Sequence, residues 1–353
     1  MVGVSCLFSA QADMAHHVCK LIKQIDASIR TIMGGAHPSS VPDEVLADTH
    51  VDIVVIGEGE MVLRKLVGDL SKGVFPPTDT SALAFREGDR IRVFPPTSYI
   101  EDLDVLPMPA RHLLPMQLYF RHAAPHGGAV KRHPVTNMIT SRGCPAQCCF
   151  CSIHTVWGRI FRVHRPERVI QEIESLIHDY GVREIQFEDD NLTLNRNRIQ
   201  DICRVIVARR IDITWSTPNG VAIYALDKPT LRLMRQAGCH HISIAIESGC
   251  QRVLNEIIHK PLQLSKVSPI IRAARKNGIG VSVFFVIGFP GETMEEIRGT
   301  ITYGLKMRVD AVLFFTAMPY PGTELLNECL ARGLLCTPVN YAQMRINYPM
   351  FDT

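Results

Sequence analysis

Ser141-Arg142-Gly143-Cys144-Pro145-Ala146-Gln147-Cys148-Cys149-Phe150-Cys151 sets three cysteines at C-x3-C-x2-C spacing, with a fourth, Cys149, between the last two. Soft thiolates suit iron–sulfur chemistry, and three of them on one tight loop hold three irons of a cubic [4Fe–4S] cluster. The fourth iron then has no protein ligand and stays open to a small molecule. Two other readings stand beside this one. A zinc site needs four ligands, commonly as two paired knuckles; there is no second knuckle, although His154 offers a fourth ligand. Unliganded core cysteines are common, but four in eight positions on a Gly/Pro loop is poor core patterning. Cys149 reads as a non-ligand, since its neighbour already supplies the thiolate.

The aromatic Phe150 just before the last cysteine completes a C-x3-C-x-Φ-C pattern that resembles the radical S-adenosylmethionine (SAM) superfamily. The resemblance implies that Cys144, Cys148 and Cys151 hold the cluster and that the amino and carboxylate groups of SAM chelate the open iron. It also implies that one electron splits SAM into methionine and a 5′-deoxyadenosyl radical.

The chain has 353 residues, enough for two domains and ample core. A hydrophobic content of 46% with 21% charged residues is that of a globular protein, and a net charge of +3 without basic–aromatic runs argues against nucleic acid as a partner. Eleven scattered cysteines fit a reducing compartment, hence a cytoplasmic location, with some thiols used for metal. The apolar start, residues 1–10, lacks the basic flank of a signal peptide, and no apolar run reaches the length of a membrane span, so no membrane association is expected.

Residues 1–75 alternate strand and helix, which implies a parallel sheet with helices on its faces. Strands are expected at 2–5 (buried), 30–33 and 51–56. Helices are expected at 12–25, with Met14, Ala15, Val18, Leu21 and Ile22 inward, at 42–47 and at 61–70. Ligands of such sheets sit at the carboxyl ends of strands. Two of those ends carry Ser5-Cys6-Leu7 and Gly34-Gly35, and glycine allows a ligand to approach the backbone closely. The S-x-L and G-G pair resembles the second half of the cobalamin-binding fold. By that resemblance Ser5, Leu7, Gly34 and Gly35 receive the nucleotide tail of cobalamin, and His37, just past them, is a candidate to face the corrin; the bland reading of His37 is a solvated loop residue. The same family begins with two further strand–helix units, so this domain is expected to be incomplete at its N-terminus, with three strands and a raw edge.

Residues 76–134 form a proline-rich linker containing a β-hairpin around Glu87-Gly88-Asp89, and His112, His122, His126 and His133 read as surface residues. From 135 to 325 six βα repeats follow, with strands at 135–140, 184–187, 212–216, 241–246, 280–287 and 311–316, and polar groups bunch where the strands end. This is the pattern of a partial (β/α)6 barrel with its functional rim. Residues 326–353 form a short tail. The fold class is thus α/β: a partial (β/α)6 radical SAM barrel preceded by an incomplete Rossmann-like, cobalamin-binding-type domain.

At the rim, Asp189, Asp190 and Asn191 offer acceptors for the ammonium of SAM, against the bland reading of a capped helix start. Glu247-Ser248-Gly249 resembles the family's E-S-G segment near the SAM ribose or its polar end, and Gly288-Phe289-Pro290-Gly291-Glu292-Thr293 resembles the turn after the strand whose Ile287 lines the adenine. Phe150 is placed beside SAM by its position in the cysteine motif. Pro319-Tyr320-Pro321-Gly322-Thr323 resembles a further family segment without assigned chemistry. The resemblance covers nearly the whole chain and is nearest to the group of anaerobic Mg-protoporphyrin ester cyclases and carbon or phosphorus methyltransferases. It implies a radical SAM enzyme with cobalamin-linked methyl transfer to an unactivated carbon or phosphorus of a small-molecule or natural-product substrate, fed electrons by a flavodoxin or ferredoxin. A cyclase or rearrangement enzyme of the same family is the alternative, and an iron–sulfur electron carrier or zinc-stabilised binding module is the non-enzyme reading. No side chain is assigned to the reacting substrate.

Overall fold

The computed structural model describes residues 1–77, 79–122, 129–335, 339–341, 344 and 350–351. In chain order the strands are β1 (Val2–Ser5), β2 (Thr31–Gly34), β3 (Ile53–Val55), β4 (Leu83–Glu87), β5 (Arg90–Phe94), β6 (Val135–Met138), β7 (Ser141–Arg142), β8 (Arg162–Val163), β9 (Glu184–Phe187), β10 (Thr214–Thr217), β11 (Cys239–Glu247), β12 (Gly280–Ile287) and β13 (Ala311–Thr316). The helices are α1 (Ala12–Ile25), α2 (Ala36–Ser40), α3 (Pro42–Ala47), α4 (Gly59–Ser71), α5 (Met116–His122), α6 (His154–Trp157), α7 (Pro166–Tyr180), α8 (Arg196–Ala208), α9 (Lys228–Gln236), α10 (Val267–Lys276), α11 (Met294–Leu305) and α12 (Glu324–Ala331). Two compact units result. One contains residues 1–101, 147–160 and 316–353; the other contains 102–146 and 161–315.

The first unit is built on a five-stranded sheet in the order β1-β2-β3-β4-β5. β1, β2 and β3 pair in parallel, and the β4–β5 hairpin continues the sheet antiparallel from β3. The hairpin expected in the linker is therefore part of this sheet, which has five strands rather than three. β1 is its edge strand and lies largely exposed, not buried as its sequence suggested. The core comprises Cys6, Ala12, Ala15, Cys19, Met33, Val45, Leu46, Val51, Val54, Ile56 and Ala84 on one side, and Ile32, Ile53, Val55, Leu66, Leu83 and Phe85 on the other. α1 thus turns Ala12, Ala15 and Cys19 inward and leaves Met14, Val18 and Leu21 exposed. Small residues let the helix lie close to the sheet, and that outweighs the larger stripe's greater transfer energy. His37 lies on α2, a one-turn helix, and is buried; the expectation of a solvated loop histidine does not hold.

The second unit is organised on a six-stranded sheet in the order β13-β12-β11-β10-β9-β6, with parallel pairing from β6 through β12. Each strand has one face toward the helices. Trp215 Nε1 donates to the Ala237 carbonyl at the end of α9 (2.8 Å), Phe187 meets Trp215 edge-on, and Phe285 meets Tyr303 of α11 edge-on. α7 buries Val169, Ile170, Ile173 and Leu176, as its 3.6-residue period requires, and ends at Gly181 in the left-handed conformation. α11 begins with a capping box, Thr293 and Glu296 each satisfying the other's backbone N–H. His112, His122 and His133 are exposed; His126 lies outside the described residues. Among the described residues no helix is long and apolar enough to cross a membrane.

Candidate functional site

The cysteine loop is anchored at its start inside the barrel unit. Asp189, at the end of β9, accepts from the Thr140 amide (3.1 Å), from the Thr140 hydroxyl (2.8 Å) and from the Ser141 hydroxyl. Burial pushes its carboxyl pKa up, while the nearby Arg198 guanidinium and these hydrogen bonds pull it down. Arg198 itself is buried; its Nε donates to the His164 carbonyl (2.8 Å) and one Nη to the Thr140 carbonyl (2.9 Å). The strand feeding the loop is thereby held from both sides by a buried acid and a buried base. Asp189 is spent on the loop rather than open to a ligand. Its neighbour Asp190 is half-buried, and desolvation together with the Asp189 charge raises its carboxyl to about 7. Asn191 Oδ1 is buried without a hydrogen-bond partner among the described residues, so this strand end retains an acceptor for a ligand.

Further along the same rim, Glu247 stands at the end of β11 in a left-handed conformation (φ 71°), where the ladder with β12 shifts register. Such strain in a non-glycine residue persists where surroundings over-determine it, and at functional sites. Lys260 Nζ lies 2.9 Å from Glu247 Oε1, the partner that a nearly buried carboxylate requires. Ser248 is fully buried and its hydroxyl is engaged with Thr300 Oγ1 (3.1 Å) and the Cys250 amide (3.1 Å), so the structure gives it a bracing position against α11. Glu292 accepts from the amides of Gly288 (2.7 Å) and Phe289 (3.2 Å), which shapes the turn after Ile287; its other oxygen, Oε1, is buried without a partner.

In the first unit, Cys148, Phe150 and Cys151 lie on one turn, closed by the Cys151 amide on the Cys148 carbonyl (3.1 Å). Cys148 and Cys151, like Cys144 in the barrel unit, are partly exposed, whereas Cys149 is buried and burial drives its thiol to about 12. A thiol so hard to ionise is a poor ligand. His154 Nδ1 lies 3.0 Å from the Cys151 carbonyl oxygen and is committed to the backbone. Among the described residues no three His, Cys, Asp or Glu side chains converge tightly enough to hold one metal ion. In a cubane each thiolate takes its own iron, the chemistry that soft thiolates at this spacing supply.

The same unit brings Ser5-x-Leu7 and Gly34-Gly35 together. Ser5 pairs with Gly34 across β1 and β2, the Cys6 amide donates to the Gly34 carbonyl (2.8 Å), and the His37 amide donates to the Cys6 carbonyl (3.3 Å). Ser5 and Leu7 are exposed at this end. A Cβ on Gly34 would make only ordinary contacts with Val55 (3.8 Å), so its side of the strand end is open to a ligand. Gly35 (φ 115°) is different: a Cβ there would come within 2.5 Å of the Cys6 carbonyl oxygen. Glycine leaves space at one position and is required by the fold at the other. His37 Nδ1 lies 3.1 Å from Ser9 Oγ, its ring meets Tyr341 edge-on at 4.7 Å, and burial lowers its pKa to about 4, leaving a neutral imidazole. Exposed Ser5 and Leu7 flank the open side of Gly34, while the His37 ring is packed inward against Ser9 and Tyr341.

Sequence reading missed Arg198 and Lys260, whose roles depend on partners 58 and 13 residues away that leave no local pattern. Glu292 lay inside a motif already singled out, where an acid four residues beyond a turn glycine was the available signal.

The Radical SAM superfamily description matches residues 138–303 and the B12 binding domain description matches residues 1–67. An uncharacterized methyltransferase of Pyrococcus horikoshii is 36% identical over 96% of this chain and 71% of its own length. The cytidylyl-2-hydroxyethylphosphonate methyltransferase of Streptomyces wedmorensis is 33% identical over 99% of this chain and 71% of its own length. The structure of the radical SAM methyltransferase TsrM from Kitasatospora setae, with tryptophan substrate and a SAM analog bound, superposes with a TM-score of 0.76 at 17% identity, over 96% of this chain and 66% of that one. The last likeness concerns fold alone. The electron-carrier and zinc-module readings are overturned by the two methyltransferase relatives: the chain belongs to the radical SAM superfamily, as an enzyme of its cobalamin-binding branch.

Proposed function

We propose that this protein transfers a methyl group to an unactivated carbon, or to a phosphorus, of a small polar substrate. The observation that carries this reading is the register of β1 and β2, which sets Ser5 against Gly34 and opens a glycine-lined cradle on the chain that also carries the cysteine motif. When bound, the cluster and cobalamin supply reductive SAM cleavage and methyl carriage. Cys144, Cys148 and Cys151 would hold the cluster. Asp190 and Asn191 would accept hydrogen bonds from the ammonium of SAM, with Asp190 fully ionised once that cation arrives, since an opposite charge lowers a carboxyl pKa. Glu247, held by Lys260, would take the ribose or the polar end of SAM. Ile287 and Phe150 would pack beside it, and Glu292 fixes the turn that positions Ile287. The barrel walls would keep water from the radical.

The finer expectations belong to the same proposal: a small-molecule substrate, a flavodoxin or ferredoxin as electron donor, a cytoplasmic location, and no nucleic-acid partner. The test is anaerobic reconstitution with iron, sulfide and cobalamin, followed by SAM and reductant. 5′-Deoxyadenosine together with transfer of the labelled SAM methyl to a candidate substrate supports the proposal. Cleavage of SAM with a cyclised, unmethylated product points to ring closure instead, and absence of nucleoside from a cluster-loaded sample overturns both.

A further inference from the structure

The first unit holds the glycine cradle, the Cys148–Cys151 turn and the Pro319-Tyr320-Pro321-Gly322-Thr323 segment together. Helix α2 follows Gly35 directly, and α6 begins three residues after Cys151. The two helices meet through a pair of hydroxyls: Ser40 Oγ, at the end of α2, lies 3.0 Å from Thr155 Oγ1 of α6. One residue earlier, Ser39 Oγ donates to the Gly35 carbonyl (2.7 Å) and accepts from the Gly57 amide (2.8 Å), which pins α2 to the chain leaving β2 and β3. Gly57 also stands close to α6, since a Cβ there would come within 3.3 Å of the Val156 carbonyl oxygen. Gly322 (φ 76°) covers the hydroxyl pair; a Cβ on it would lie 2.6 Å from Thr155 Cγ2 and 3.6 Å from Ser40 Oγ. Three residues on, the Leu325 amide donates to the carbonyl of Cys149, inside the cysteine turn (3.0 Å).

The two hydroxyls have fewer protons than acceptors. Ser40 Oγ is also placed to donate to the Ala36 carbonyl (2.9 Å), and Thr155 Oγ1 to the Ser152 carbonyl (2.8 Å). A hydroxyl has one hydrogen to give. Two protons therefore serve three acceptors: the Ala36 carbonyl, the Ser152 carbonyl and the other hydroxyl. When Thr155 donates to Ser152, only Ser40 can close the bridge, and it then releases Ala36. When Thr155 donates to Ser40, it releases Ser152, and Ser40 keeps Ala36. The Ser152 carbonyl already accepts the Thr155 amide (3.0 Å), so releasing it leaves no orphaned acceptor. Ala36 stands next to Gly35, and Ser152 next to Cys151. The proton that serves the end of the cysteine turn thus decides which bond is left for the start of α2.

We propose that Ser40 and Thr155 are positioning residues that couple the cobalamin cradle to the cysteine turn. Fixing the turn by its cluster orders α6 and settles the hydroxyl pair, which leaves less of α2 to be ordered when cobalamin enters beside Gly35. The cradle then binds more tightly once the thiols are loaded, and linkage requires the converse. The turn at Gly322 completes the device by closing over the pair, where a hydroxyl bond shielded from water is stronger. The proposal rests on the reading of Ser5, Gly34 and Gly35 as the cobalamin cradle.

Equilibrium dialysis of hydroxocobalamin against the full chain, cluster-loaded and cluster-free, tests it. The wild type should bind cobalamin about fivefold more tightly when loaded, the worth of roughly one hydrogen bond. That difference should vanish in Ser40→Ala and in Thr155→Val, and persist in Thr155→Ser, which keeps the hydroxyl. A role confined to packing would lower stability without touching the difference between loaded and cluster-free samples. The proposal is therefore overturned if the difference survives in both hydroxyl-free variants, or if the wild type shows none. Ser40→Ala removes a single oxygen, so the test stands even where Thr155→Val fails to fold. Absence of cobalamin binding by every wild-type sample overturns the cradle reading and the coupling with it, whereas equal binding by loaded and cluster-free wild type overturns the coupling alone.

Discussion

The rim of the barrel and the strand ends of the smaller sheet are both built at the carboxyl ends of parallel strands, yet they are made in opposite ways. At the rim the key groups are wired by hydrogen bonds: Asp189 to Thr140 and Ser141, Glu247 to Lys260, Glu292 to two amides. At Ser5 and Gly34 no ion pair forms among the described residues; a glycine leaves space, and His37 is held neutral. The difference teaches what each region receives. Hydrogen-bonding groups fixed in advance suit a polar co-substrate, whereas shape without charge suits a large planar group whose binding energy comes from area.

The largest effect expected lies in the cysteine loop. Cys144→Ala, Cys148→Ala or Cys151→Ala should bring iron content and 5′-deoxyadenosine formation to background, whereas Cys149→Ala should retain both; iron analysis and nucleoside chromatography decide. Equal loss in all four would break the distinction between the buried thiol and the accessible ones.

Next, Asp189→Leu removes the nearer of the two acids that act on buried Arg198, leaving Asp104, and should destabilise the fold by about 3 kcal/mol in urea denaturation. A smaller loss than that of a surface control would mean the rim is less wired than its geometry indicates. Third, the paired glycines should separate. Gly35→Ala should cost about 1–3 kcal/mol of stability through backbone strain and collision with Cys6, while Gly34→Ala should leave stability within experimental error and lower cobalamin retention. Fourth, Lys260→Met should weaken SAM binding about five- to tenfold by calorimetry, an estimate based on one charge-assisted hydrogen bond holding Glu247.

The smallest effect concerns acid. His37 keeps its ring neutral in the fold down to about pH 4, while in the unfolded chain it takes a proton near its ordinary 6.5. Between those values the unfolded state binds more protons, so stability is greatest above 6.5 and falls as the pH drops toward 4. Screening limits the loss to roughly 1 kcal/mol. Denaturation midpoints at pH 7 and 4.5 should converge in His37→Phe relative to the wild type.

Much of this was legible in the sequence, for reasons that differ by element. Strands 184–187 and 280–287 are apolar-rich runs set between helical stretches, so local pattern suffices to place them. The cysteine spacing, Ser5-x-Leu7 and Gly34-Gly35 are visible because each is local. What failed was choice among local options. On α1 two apolar stripes compete, and the sheet selects the one with small residues, Ala12, Ala15 and Cys19. α2 was hidden by its glycine and proline, so His37 was read as loop. Arg198, Lys260 and the Ser40–Thr155 pair become meaningful only when distant segments meet, and periodicity within one element does not report its neighbours.

Asp189 reaches back 49 residues to the Thr140 amide. The cysteines therefore acquire their starting posture only after a long loop has closed, and closing it requires β6 and β9 to be paired first. Metal delivery is in this way made to wait on folding: protection of the Thr140 amide from hydrogen exchange should precede iron uptake, so that a half-made chain offers its thiols to no assembly.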